Sequence, residues 1–136
     1  MTRFKYILIL IPALFFFNGC EYAFQKDIAS VSPVAVYTAD SLINILKQNE
    51  RINNEEVIVV SGLIKETNLK NNKFNILLKG KTNQDHYIIC EMKTKISDSV
   101  LNLSQGDTLS VKGILKGYLN DAVLLNCIVV NTTLNE

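Results

Sequence analysis

The sequence predicts a mainly β protein: one five-stranded barrel preceded by a helix, with a second, short helix between the third and fourth strands. Three observations carry this reading. From Val57 onward apolar residues recur at short period and β-branched residues dominate, which is the chemistry of strands. Two connections, "NLKNN" and "YLND", are short and rich in asparagine, as antiparallel hairpins require. The chain has 136 residues, 48% of them hydrophobic, enough for one core of ordinary size.

The chain opens with "MTRFKYILILIPALFFFNGC", two cations followed by an apolar run from Tyr6 to Phe17. About a dozen apolar residues fall short of the roughly 20 that span a bilayer, so the segment reads as a secretory leader. Its end, Gly19-Cys20, resembles the lipobox of bacterial lipoproteins, with Phe17 and Asn18 standing where leucine and a small residue are usual. The resemblance implies cleavage after residue 19 and a lipid on Cys20. Glu21 is not the aspartate that holds lipoproteins in the inner membrane, so an outer-membrane anchor facing the periplasm is expected. Residues 20–37, with Pro33 and no sustained period, read as a tether.

In "TADSLINILKQNERI", Thr38 or Asp40 can cap a helix that carries Leu42, Ile45, Leu46 and Asn49 at helical spacing, with Ile43 widening the stripe. The five strands follow at Val57–Thr67, Lys73–Gly80, His86–Met92, Asp107–Gly117 and Asp121–Val130. Between the third and fourth, Ser97 can cap a turn or two of helix that delivers Val100, Leu101 and Leu103 to the core. Gly62 and Gly113 sit inside strands, where glycine marks a bend or bulge; Gly117 opens the last hairpin. This order of elements is that of an OB-fold, a partly open Greek-key barrel, with a small β-sandwich as the alternative. The barrel domain is expected over 38–131, followed by a tail at 132–136.

The stretches "VIVVSGLIKE", "YIICEM", "LSQGDTLSVKGILKGY" and "AVLLNCIVV" together resemble the tRNA-anti-like family of bacterial OB-fold proteins, many of them assigned as lipoproteins. Gly106, Asp107, Leu109, Val111, Lys112 and Gly113 match its G-D-x-V-x-V-K-G segment with leucine for the first valine. The resemblance implies nucleic-acid binding by an anticodon-binding-like barrel. Whole-chain charge does not argue for it: the formal charge is +1, and from Cys20 onward 12 basic residues face 13 acidic ones.

Catalysis finds no support in the spacing, and no enzyme activity, cofactor or metal is expected. His86 is the single histidine, and Cys90, four residues along a strand, lies about 13 Å away, too far to share a proton. Cys90, Cys127 and His86 make three metal donors without a C-x-x-C pair, short of the four of structural zinc. The carboxylates Glu66, Asp85, Glu91, Asp98, Asp107 and Asp121 are scattered over turns and strand ends. With Cys20 lipidated, Cys90 and Cys127 are either a disulfide or two buried thiols.

Binding is the remaining class. OB-folds take ligands on the face of their second and third strands, flanked by the first and last hairpin loops. The residues available there are Lys70, Asn71, Lys73, Phe74, Lys79, Tyr87, Lys116 and Tyr118. Cations interleaved with aromatics suit single-stranded nucleic acid. From Val57 to Val130 nine lysines face six acids. The same residues suit a glycan, and an envelope module that recognises a protein partner is the alternative of another class.

Overall fold

The computed structural model describes residues 27–48, 55–82, 85–93 and 98–130. The leader 1–19, Cys20, the start of the tether, Asn49, Ser97 and the tail 132–136 lie outside the described residues. Among the described residues six strands form one sheet: β1 (Ala35–Thr38), β2 (Val57–Lys70), β3 (Lys73–Lys79), β4 (Tyr87–Met92), β5 (Thr108–Tyr118) and β6 (Ala122–Val129). Their order is β1-β2-β3-β4-β6-β5, and β5 returns to pair with β2. Strands β2 to β6 thus close a five-stranded barrel consistent with an OB-fold, and β1 is an addition along its edge.

Closure depends on β2, which pairs with two barrel neighbours in succession. Its first half, Val57–Leu63, runs antiparallel to β5; its second, Leu63–Lys70, runs antiparallel to β3. Gly62 stands beside that handover. A Cβ there would lie 3.0 Å from both the Ala39 Cβ and the Lys79 carbonyl oxygen, so the bend expected at this glycine is also a point of close approach. Just beyond it a bulge falls between Ile64 and Glu66, adding the local twist that a small barrel needs. At the hairpin tip Asn71 and Asn72 both have positive φ (52° and 60°), the signature of a two-residue type I′ turn. The strand therefore runs three residues beyond the expected Thr67.

Alternation fills the interior. Ile64, Ile76, Leu78, Ile88, Val111 and Leu124 are fully buried, and β4 reads half-buried and buried in strict alternation. Helix α1 (Ala39–Lys47) adds Leu42 and Ile43 to the same core. Thr38 caps it through a reciprocal box with Ser41, at 3.0 and 3.1 Å. Asp40, the other expected cap, reaches instead across to the start of the β3–β4 connection and accepts from the Lys81 and Thr82 amides at 2.8 and 3.2 Å and from Thr82 Oγ1 at 2.9 Å. Between β4 and β5 the described chain makes one turn, α2 (Asp98–Leu101), which brings Val100 into the core; the short helix expected there is represented only by this turn.

The tether expected over 20–37 is corrected in its second half. Residues Ile28–Ser30 form a 3-10 turn whose Ile28 is buried at 1% exposure, and Ala35–Thr38 is strand β1, parallel to Ile58–Ser61 of β2. The segment straps the barrel. Lys93 Nζ donates to Asp27 Oδ1 at 2.7 Å, and Lys112 Nζ donates to the Ala29 carbonyl at 3.3 Å. On the outer face of β5 Lys112, bonded to the strap, and Ser110 are buried along with the inward Leu109 and Val111. Ser110 Oγ meets Ser61 Oγ across the β2–β5 ladder at 2.6 Å.

Cys90 and Cys127 are both buried and both free thiols. A hydrogen bond between them, with burial, pushes the Cys127 thiol well above its ordinary value. Gly113 makes the room: a Cβ there would stand 2.6 Å from Cys127 Sγ and 3.2 Å from Leu124 Cβ. Two outcomes follow. Gly113→Ala is expected to lose about 1–3 kcal/mol in denaturant unfolding, whereas Gly117→Ala, with nothing within 4 Å of the added methyl, should change stability by less than about 0.5 kcal/mol. At pH 8 an alkylating reagent should leave the native thiols intact and modify both in denaturant without reductant. Loss of both thiols from the unreduced, denatured sample would identify a disulfide instead.

Candidate functional site

On β3 and β4 the residues that alternate with the core point outward: Lys73, Asn75, Leu77 and Lys79 on one strand, Tyr87, Ile89 and Glu91 on the other. Register places Asn75 opposite Glu91, Leu77 opposite Ile89 and Lys79 opposite Tyr87. The face is therefore graded along its length. Near the β2–β3 hairpin it is polar, and Lys73 Nζ donates to Glu91 Oε1 at 2.7 Å. At its centre Leu77 and Ile89 form a half-buried apolar saddle. At its other end stands a tyrosine flanked by cations.

That tyrosine is the most developed feature of the face. Lys65 Nζ lies 3.8 Å from the centroid of the Tyr87 ring, a cation–π contact. Lys65 is the residue the β2 bulge leaves without a partner, since Ile64 pairs with Leu78 and Glu66 with Leu77. The extra residue throws its side chain over the outer face. The Tyr87 backbone is fixed in turn, its amide donating to Asp121 Oδ1 at 2.8 Å, so the β5–β6 hairpin and the ring are positioned together. Sequence reasoning missed Lys65, because a bulge shows itself only in the register of two strands.

The other expected contacts fall in different places. Lys70 and Asn71 are exposed at the β2–β3 turn. Phe74, half-buried, packs against the core rather than outward. Tyr118 does the same at the opposite end, its ring 6.4 Å from that of His86. His86 is half-buried and bonds through Nδ1 to the Asn120 carbonyl. Lys116 is exposed and pairs with Glu55 at 2.9 Å. Two of the expected aromatics are thus wedges at the barrel ends, and Tyr87 alone of the three lies on the outer face between β3 and β4.

Two clefts border this surface. One of about 290 Å³ lies at the β5–β6 hairpin, against Lys116, Tyr118, Leu119 and Asp121. The other, of about 210 Å³, lies beside the start of α1, against Thr38, Ser61, Lys79 and Thr108; the Asp40 carboxylate at its rim is engaged with the β3–β4 connection, which is a structural clasp. Among the described residues no three His, Cys, Asp or Glu side chains gather as metal ligands, and every buried side-chain N or O atom has a hydrogen-bond partner.

Comparison with solved structures gives a provisionally described nucleic acid-binding lipoprotein from Klebsiella pneumoniae subsp. pneumoniae MGH 78578. Its TM-score is 0.62 at 17% identity, over 76% of this chain and 95% of that one. The Stn1-Ten1 complex of S. pombe matches with a TM-score of 0.44 at 12% identity, over 55% of this chain and 58% of that one. An OBody bound to hen egg-white lysozyme matches at 0.43 and 14% identity, over 59% and 83%. At these identities the first likeness is one of fold alone. Comparison with curated proteins gives no match. The sequence itself matches the tRNA_anti-like family over residues 1–129, nearly its whole length, so the chain belongs to the tRNA_anti-like family.

Proposed function

We propose that this protein is a lipid-anchored OB-fold binding module of the bacterial cell envelope, without catalytic activity, whose β3–β4 face takes single-stranded nucleic acid. The observation that supports the ligand is Tyr87 with Lys65 over its ring and Lys79 opposite it in register. A base can take the place of the Lys65 ammonium on the ring, and the displaced lysine then reaches a phosphate. Aromatic stacking of this kind is tolerant of sequence. The first solved neighbour's description as a nucleic acid-binding lipoprotein points the same way for both ligand and anchor.

A short oligosaccharide is the second reading, favoured by the Leu77–Ile89 saddle beside an aromatic ring. Salt separates the two. If Lys65 and Lys79 each meet a phosphate, single-strand affinity should fall about sevenfold between 50 and 200 mM salt. Tyr87→Ala should weaken binding by about 5–150-fold, the loss of one stacked base. Affinity for a neutral glycan that does not change with salt would select the second reading. Failure of both ligands at low salt would leave the face to a protein partner.

The anchor is tested separately by metabolic labelling with a palmitate analogue. Label is expected on the wild type and is expected to disappear in Cys20→Ala. An unlabelled wild type, or label that survives the substitution, overturns the anchor.

A further inference from the structure

We infer that the barrel is held against the lipid surface by the end that carries Asp27, Lys93 and the β2–β3 hairpin, with Tyr87 and the β5–β6 hairpin directed away from it. This orientation rests on the lipid anchor proposed for Cys20 and deepens that reading.

The leash sets the distance. Asp27 lies seven residues after Cys20, and seven residues fully extended span at most about 25 Å. A domain of about 100 residues has a radius of gyration near 13 Å, hence a breadth above about 30 Å. The leash is therefore shorter than the body it holds. It is short because the strap is fixed: Ile28 is 1% exposed, Asp27 is bonded to Lys93, Ala29 accepts from the buried Lys112, and the Val34 amide donates to the Val57 carbonyl at 2.9 Å. Peeling the strap would expose Ile28 and take from the Lys112 ammonium its bond to Ala29. The Lys93 ammonium beside Asp27 also holds that carboxyl below its ordinary value, so the tie is charged at neutral pH.

Strand β4 then serves as a ruler. Asp27 is tied at Lys93, just past the end of β4, and Lys73 is tied at Glu91, two residues earlier. The β2–β3 turn, which leads into Lys73, is thus a neighbour of the anchored point. Tyr87 lies six residues back from Lys93, about 20 Å along the strand, together with His86, Asp121 and the β5–β6 hairpin. The near end presents Leu69, 67% exposed, beside Lys70, with Lys73 and Lys93 there in exposed pairs with Glu91 and Asp27 that an anionic headgroup can enter. An apolar side chain among lysines suits the headgroup region of an anionic bilayer. The far hairpin has an exposed leucine as well, Leu119 at 93%; the leash selects between the two ends.

The test uses the full, matured chain in phosphatidylcholine vesicles with about 30% phosphatidylglycerol and an acceptor dye on the headgroups. Donor dyes are placed on Lys70→Cys or Asn120→Cys, both exposed positions. Over a 20 Å separation, energy transfer from position 70 should exceed that from position 120 by at least about twofold. Inserting a flexible glycine-serine segment of about 20 residues between Phe24 and Gln25 should lower the transfer at position 70 and narrow the difference. Equal transfer from the two positions, a reversed order, or a difference untouched by the insertion overturns the orientation while leaving the anchor standing. Protein that fails to float with the vesicles overturns the anchor, and the orientation with it.

Discussion

The structure depends on one strand having to satisfy two neighbours in succession. The first half of β2 is bonded to β5 and its second half to β3, so the strand must coil through the point where one partner gives way to the other. A side chain at residue 62 would collide there with α1 and with the end of β3, and the extra twist is taken up by the bulge two residues later. The bulge has a consequence for the surface. It turns Lys65 out of the ladder and over Tyr87, so the same strain that closes the barrel creates the cation-flanked ring on its outer face.

A barrel of about 75 residues encloses little apolar volume, and small domains are marginal for that reason. The N-terminal segment compensates. Leu42 and Ile43 of α1 and Ile28 of the strap are all buried, each burial contributing roughly 1.5–3 kcal/mol. Strand β1 meanwhile covers the edge of β2 that β3 has not yet reached, which would otherwise offer unpaired backbone to another chain. One continuous segment, from Asp27 to Lys47, thus supplies core, edge protection and a fixed exit point. The same rigidity sets how far the domain can stand from whatever holds the residues before it.

The fold was largely legible because its signals are local. The period-two pattern located all five barrel strands, four of them to within one residue at each end, and the asparagines at 71 and 72 marked the turn. Gly62 and Gly113 mark bends in the sequence; that each is also a point of close approach, to Ala39 and Lys79 in one case and to Cys127 in the other, shows only in the structure. What escaped depends on pairing between distant segments. Ala35–Thr38 is too short to show a period, and its strand exists only because β2 has an edge to fill. Lys112 alternates with the inward Val111 and so points outward, yet it is buried where the strap bonds to it. Phe74 and Tyr118 read as stacking platforms from composition, yet Phe74 shares the inner face of Ile76 and Leu78 at period two, and Tyr118 packs against the core beyond the register shift between Leu115 and Gly117. Lys65 carries no signal of its own, since its direction is set by a register shift.

The same distinction decides which cations would be open to the nucleic-acid ligand proposed above. Lys73–Glu91, Lys93–Asp27 and Lys116–Glu55 are exposed pairs, and pairs of this kind contribute between zero and about 1 kcal/mol. Their lysines can exchange a carboxylate for a phosphate at little loss, but each exchange releases an acid beside the incoming anion and so returns part of the gain. Lys65 differs, because its partner is a ring and not a charge. Displacing it from Tyr87 by a base forfeits about 0.5–1 kcal/mol at a half-exposed site and leaves no carboxylate behind. Lys112, buried and bonded to the strap, is withdrawn from this exchange altogether. For the nucleic-acid ligand proposed above, discrimination would therefore turn on Lys65 and Tyr87 rather than on the larger number of lysines around them.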